Sequence, residues 1–213
     1  MGNVNPRKIT FAASVLAALV GASAARAEPP GPTVVASFDR PGDIEGFGYA
    51  AKCQIENPGQ GGNPGGYLRS VCTELVAGAY YAGADTERAD LTGDRRFRIW
   101  TVSVDLRLFK GTPTGVFLRF RHRSQEGWLL NGWRYRFAQS LSTIWTHFEV
   151  TFDPSWTDAE ARAHGWNKDF ADGAFSPSWG DNMARIGTAE IRVEALQPLV
   201  VGIDNYTLIP VPW

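Results

Sequence analysis

Two acidic residues sit in apolar, strand-like runs at opposite ends of the chain. Asp39 follows Ala36-Ser37-Phe38, and Asp204 lies within Val201-Gly202-Ile203-Asp204-Asn205-Tyr206-Thr207-Leu208. An unpaired charge in such a run is costly. A sandwich that pairs its first and last strands brings Asp39 and Asp204 together, and two carboxylates side by side call for a cation. The alternative is that each caps a turn and the two never meet.

A second group of residues has the chemistry of carbohydrate recognition. Around Asn131-Gly132 stand Trp128, Trp133 and Tyr135, flanked by Arg119, Arg121, Arg134, Arg136 and Gln139. Rings stack on sugar faces, and guanidinium forks suit hydroxyls or the carboxylates of an acidic polysaccharide. In a strand, Trp133 and Tyr135 share one face while Arg134 and Arg136 share the other. The competing reading makes the rings core residues and the arginines a solvated strand face.

Catalytic patterns are weak. Glycosidases set two carboxylates across a cleft; Glu149 with Asp153, and Glu190 with Glu194, are not specific pairs. His122, His147 and His164 are scattered, and no Gly-x-Ser-x-Gly or His-Glu-x-x-His occurs. A non-enzymatic chain is expected.

The first 27 residues read as an export signal. Arg7 and Lys8 precede an apolar run from Ile9 to Ala25, and Ala25-Arg26-Ala27 is a small-x-small cleavage site. No second apolar stretch is long enough to span a membrane. Residues 28–213 then form one domain, secreted, periplasmic or extracellular. Without Arg7, Lys8 and Arg26, that domain has 18 Lys and Arg against 22 Asp and Glu, a formal charge of −4. This balance argues against a nucleic-acid partner. In an exported chain the two cysteines, Cys53 and Cys72, read as a disulfide across a Gly/Pro-rich loop. Zinc is the weaker alternative, because two Cys lack a second ligand pair.

The elements that position these groups are mostly strands. The chain has 23 Gly and 13 Pro and few helical patterns. Strands are expected over 33–38, 49–55, 66–73, 97–109, 116–123, 144–152, 189–196 and 200–209, with 39–48 a loop and 77–90 unplaced. Trp100, Val102, Val104, Leu106 and Leu108 define one face of the clearest strand. Ile144, Phe148, Val150 and Phe152 mark a core face in another. Asn131-Gly132 suits a two-residue hairpin turn. Thr157 with Glu160 forms a capping box for one short helix, closed at Gly165; Ser178 caps a second from Trp179 to Ile186, ended by Gly187. The expected fold is all-β, a two-sheet antiparallel jelly-roll sandwich with one or two short helices in its connections.

Phe38-Asp39 with Gly46-Phe47, Gly62-Asn63-Pro64-Gly65-Gly66-Tyr67-Leu68, the run from Ala184 to Arg192, and Ile203-Asp204-Asn205-Tyr206-Thr207-Leu208 resemble the laminin domain IV type B pattern and the bacterial exported proteins that share it. More broadly the chain resembles the galactose-binding-like jelly roll of many carbohydrate-binding modules. The resemblance implies a structural calcium ion held by Asp39 and Asp204, with backbone carbonyls, and Asp43 or Glu45, completing the shell. It also implies non-catalytic binding of a polysaccharide or other glycan. The alternative role is an envelope or extracellular-matrix structural or adhesion protein that binds another protein; a polysaccharide hydrolase or lyase ranks below both.

Overall fold

The computed structural model describes residues 33–48, 52–169 and 176–211. The expected export signal and the expected strand start at Tyr49 lie outside them. Among the described residues, no helix is long and apolar enough to cross a membrane.

Two six-stranded antiparallel sheets form the molecule. The first contains β1 (Val34–Ala36), β3 (Gln54–Glu56), β4 (Leu68–Cys72), β6 (Trp100–Lys110), β9 (Thr146–Phe152) and β12 (Leu199–Pro210). Its order is β3-β4-β12-β6-β9, with β1 also paired to β12. The second contains β2 (Phe47–Gly48), β5 (Tyr80–Thr86), β7 (Pro113–Arg123), β8 (Leu129–Arg136), β10 (Trp166–Lys168) and β11 (Ile186–Ala195), in the order β10-β8-β7-β11-β5-β2. Two short helices, α1 (Asp158–Ala163) and α2 (Trp179–Ala184), lie in the connections.

The period-2 pattern explains the layering. Val102, Val104 and Leu106 of β6, Val116, Leu118 and Phe120 of β7, and Val201 and Ile203 of β12 all face inward and are buried. Trp133 and Trp166 pack in this core against Trp179, which α2 contributes, at ring-centroid distances of 5.4 and 5.1 Å. The α1 capping box is present as expected, with Thr157 Oγ1 accepting from the Glu160 amide.

Three local expectations change. The β7–β8 turn is not at Asn131-Gly132 but at Ser124–Gly127, where the Ser124 amide donates to the Trp128 carbonyl and Gly127 has φ +89°. Gly132 is instead an interior residue of β8: a Cβ there would lie 1.9 Å from the Phe120 carbonyl oxygen, beside a bulge at Asn131 of β8. Ile144 is 72% exposed, because it belongs to a turn tied by the Ser142 and Thr146 hydroxyls before β9 begins. Finally, α2 stops at Ala184, since Ile186 exchanges backbone hydrogen bonds with Gly93 and starts β11.

Cys53 and Cys72 form a disulfide. It flanks the first pair of the β3–β4 ladder, Gln54 with Val71, while the Gly-rich loop closes the other end. Reduction is expected to cost about 2–4 kcal/mol, chiefly by freeing the unfolded chain. A thermal melt with and without reductant checks this, and coincident curves with both thiols labelled would contradict it.

Candidate functional site

The outward face of the second sheet is charged rather than apolar. Register places Gly48, Asp85, Glu190, Arg119, Arg134 and Asn167 in one row across six strands. Arg119 is the centre of this row and is almost fully buried. Its Nη1 donates to Glu190 and its Nη2 to Asp169, which are equally buried. Glu190 also accepts from Arg192 Nε at 2.9 Å. Arg134 Nη1 lies 3.9 Å from Asp169 and 3.8 Å from Glu194. Buried charges persist only when paired, and this network pairs them.

The rings on the same face are covered by guanidinium groups. Arg192 lies 4.6 Å over Tyr81, while Arg134 and Arg136 lie 5.1 and 5.8 Å from the Phe117 centroid. Arg121, half-buried beside Arg119, has no hydrogen-bond partner for its buried Nε. Burial lowers the pKa of its guanidinium, and the Arg119 charge adds to this.

Of the six side chains expected to touch a ligand, Arg119, Arg121 and Arg134 thus share one face. Trp133 and Tyr135 do not join them. Trp133 is fully buried, and Tyr135 packs on Phe137 and Trp166, because the opposite parity of β8 faces the core. Trp128 is 72% exposed near the β7–β8 turn, away from the paired row. Trp156 and Trp166 supply no open platform either: Trp166 is buried, and Trp156 stacks on His164 at 4.2 Å.

The first sheet gathers carboxylates at the other predicted site. β1 pairs with β12, as the reading that joins the chain's ends expected, and the exposed Asp39 follows where β1 ends. Asp204 is fully buried and stands opposite Asp105 of β6. Its Oδ2 accepts from the Asn63 amide and its Oδ1 from the Asn205 amide at 2.8 Å. Asn205 has φ +49°, in a bulge that turns its side chain toward Asp105. Asp105 also meets His147 Nδ1 at 2.7 Å. Burial is the main cause that pushes the Asp204 carboxyl up to about 6; the two amides oppose it, and the Asp105 and Asp39 charges add to it.

Oxygen atoms converge on the Gly-rich loop here. A Cβ on Gly62 would lie 1.8 Å from the Gly66 carbonyl oxygen and 2.7 Å from Asp204 Oδ2. A Cβ on Gly65 would meet Asp39 Oδ1 at 1.9 Å, and one on Gly66 would meet the Phe38 carbonyl oxygen at 2.1 Å. Among the described residues, no three His, Cys, Asp or Glu side chains group closely enough to hold a metal by themselves. An all-oxygen set completed by carbonyls is the kind that suits calcium. Asp43 and Glu45, the two expected extra ligands, are engaged within their own loop: Asp43 Oδ1 accepts from the Glu45 amide, and Glu45 Oε1 from the Phe38 amide. Asn57 Nδ2 ties the same loop by donating to the carbonyls of Phe38, Arg40 and Asp43 at 2.6–2.9 Å.

Several of these residues gave little signal in the sequence. Asp85 lies in the unplaced stretch 77–90, where the inward positions of β5 are Ala82, Ala84 and Thr86, too small or polar to mark a core face. Asp169 and Asp105 join their sites only through long-range pairing. Glu190 was visible as half of a carboxylate pair with Glu194, but its partner Arg119 is 71 residues away.

No protein-family model matches the sequence, and no curated protein matches it. Solved structures do. The CBM22-1 xylan-binding domain of Paenibacillus barcinonensis Xyn10C superposes with a TM-score of 0.54 at 10% identity, covering 84% of this chain and 94% of that one. The family 11 carbohydrate-binding module of Clostridium thermocellum, in complex with a β-1,3-1,4-mixed-linked tetrasaccharide, gives 0.56 at 13% identity, covering 83% and 95%. The fold is the jelly roll of these carbohydrate-binding modules. An exo-β-agarase also matches, with a TM-score of 0.51, but over only 25% of its chain. What the structure carries of the sequence resemblance is this jelly roll; the structures named here are not laminin domains.

Proposed function

We propose that the protein is an exported, non-catalytic module that binds carbohydrate through the outward face of its second sheet, with a structural calcium ion at Asp39 and Asp204. The observation that carries the reading is the likeness to carbohydrate-binding modules across most of the chain and nearly the whole of each module, joined to a sheet face of buried, ordered polar groups. The leader-like pattern of residues 1–27 supports export.

The use of two carboxylates on that face supports the non-catalytic reading. A glycosidase needs one protonated and one ionised carboxyl free to reach a sugar. Glu190 and Asp169 are both bound by Arg119, which occupies their oxygens.

The test is retention on polysaccharides. The secreted protein is expected to be retarded in gels containing xylan, mixed-linkage β-glucan or another polysaccharide, and to release no reducing sugar from any of them. Release of sugar would make it an enzyme. Failure to bind any polysaccharide in a broad panel would move the role to a structural or adhesion protein of the envelope or matrix.

A further inference from the structure

We propose that the corner of the second sheet where β2, β5, β7 and β11 meet is a subsite for one neutral sugar unit, held through adjacent hydroxyls. This deepens the carbohydrate-binding reading and rests on it. A pocket of about 440 Å³ opens there, lined by Gly48, Asp85, Arg121, Leu129 and Thr188 among others. Its volume is within the range of small-ligand sites.

Two polar side chains in this pocket, Thr188 and Arg121, are left with partnerless buried atoms by the network beside it, and Asp85 borders them. Thr188 is 2% exposed, and its hydroxyl has no hydrogen-bond partner. Such a group ordinarily finds one, so an unfilled buried hydroxyl at a pocket wall points to a ligand atom. Arg121 is the direct cross-strand partner of Thr188 and has a buried Nε without a partner. Asp85 stands one row over, opposite both Gly48 and Glu190. Gly48 has no side chain to cover Asp85; a Cβ there would come no closer than 3.9 Å to Asp85 Oδ1. The other charged residue at this rim, Glu87, is paired with Arg123 at 2.8 Å.

The remaining donors and acceptors select the ligand. Arg121 offers only donors, Asp85 offers acceptors, and Thr188 offers both. A sugar diol donates to a carboxylate and accepts from a guanidinium at once, and so satisfies all three. A uronate carboxylate would satisfy Arg121 but would approach the negative charges of Asp85 and Glu190. Burial and the Glu190 charge push the Asp85 carboxyl up, so an added anion there is further disfavoured. Leu129 supplies an apolar wall for the C–H face of a sugar ring. With Tyr81 and Phe117 already covered by arginines, recognition here is by hydrogen bonds rather than by stacking.

Calorimetry on the full mature protein tests this with two kinds of probe: neutral oligosaccharides of xylan and mixed-linkage β-glucan, and oligogalacturonate. The expected result is binding of a neutral probe, at least about tenfold weaker binding of the acidic one, and about tenfold loss of neutral affinity in each of Asp85→Asn, Arg121→Gln and Thr188→Val. Melting temperatures should stay near that of the parent protein, since these side chains hold no partner that folding needs. Neutral binding unchanged in all three variants would place the site elsewhere. Preferential binding of oligogalacturonate would overturn the charge argument while leaving carbohydrate binding intact. No binding of either kind would remove the subsite and count against the carbohydrate reading itself.

Discussion

Arg119→Met lowers stability by about 3–5 kcal/mol, the cost of leaving buried carboxylates without their cation. Glu190 and Asp169 both depend on this one guanidinium, and all three groups are almost fully buried. Arg192 still reaches Glu190, but Arg134 is 3.9 Å from Asp169 and about a third exposed, so Asp169 loses most. The triple variant Arg119→Met, Glu190→Gln, Asp169→Asn recovers much of the loss, because it removes the stranded charges with the pair. Chemical denaturation midpoints of the single and triple variants measure both effects. A single variant as stable as the parent would mean that the network is solvated and not a fixed part of the face.

The second large effect is expected at Asp204. Asp204→Ala leaves the Asn63 and Asn205 amides without acceptors at a buried bulge, and about 3 kcal/mol of destabilisation follows. The same residue gives a pH signature. Its folded carboxyl titrates at about 6, above its ordinary 3.8, so the fold favours the protonated form. Its contribution is therefore fully present below about 3.8 and is lost as pH rises through about 6, a fall of roughly 2–3 kcal/mol in calcium-free protein. A calcium ion at Asp39 and Asp204 binds the ionised form, so calcium raises the melting temperature at pH 7 and flattens the profile. Melts with calcium and with chelator at pH 4.5 and 7 check this. Superimposable curves for parent and Asp204→Ala protein, insensitive to calcium, would contradict it.

The layering was legible because β6, β7 and β9 alternate cleanly, and each presents large apolar side chains inward. The pairing of the first and last strands was legible too, because an Asp beside or within an apolar run at each end suggested that the ends meet; Asp204 is buried there, whereas Asp39 is exposed. Legibility failed where a local signal was ambiguous. Asn131-Gly132 has turn chemistry, yet Gly132 is there because the Phe120 carbonyl leaves no room for a Cβ, a contact that only the folded β7–β8 pair creates. Trp133 and Tyr135 looked equally suited to core and ligand, and parity against β7 decided for the core. The candidate subsite was hardest to see. Asp85, Arg121 and Thr188 come from three strands, and what distinguishes Arg121 and Thr188 is a buried polar atom without a partner, which no sequence pattern displays.

The most direct measurement is amide hydrogen exchange with and without a saturating neutral oligosaccharide. Added protection is expected in β2, β5, β7 and β11, concentrated around Gly48, Asp85, Arg121 and Thr188, with little change in β6, β9 and β12. Protection confined to the first sheet, or none at concentrations that saturate binding, would contradict the claim that the second sheet carries the function.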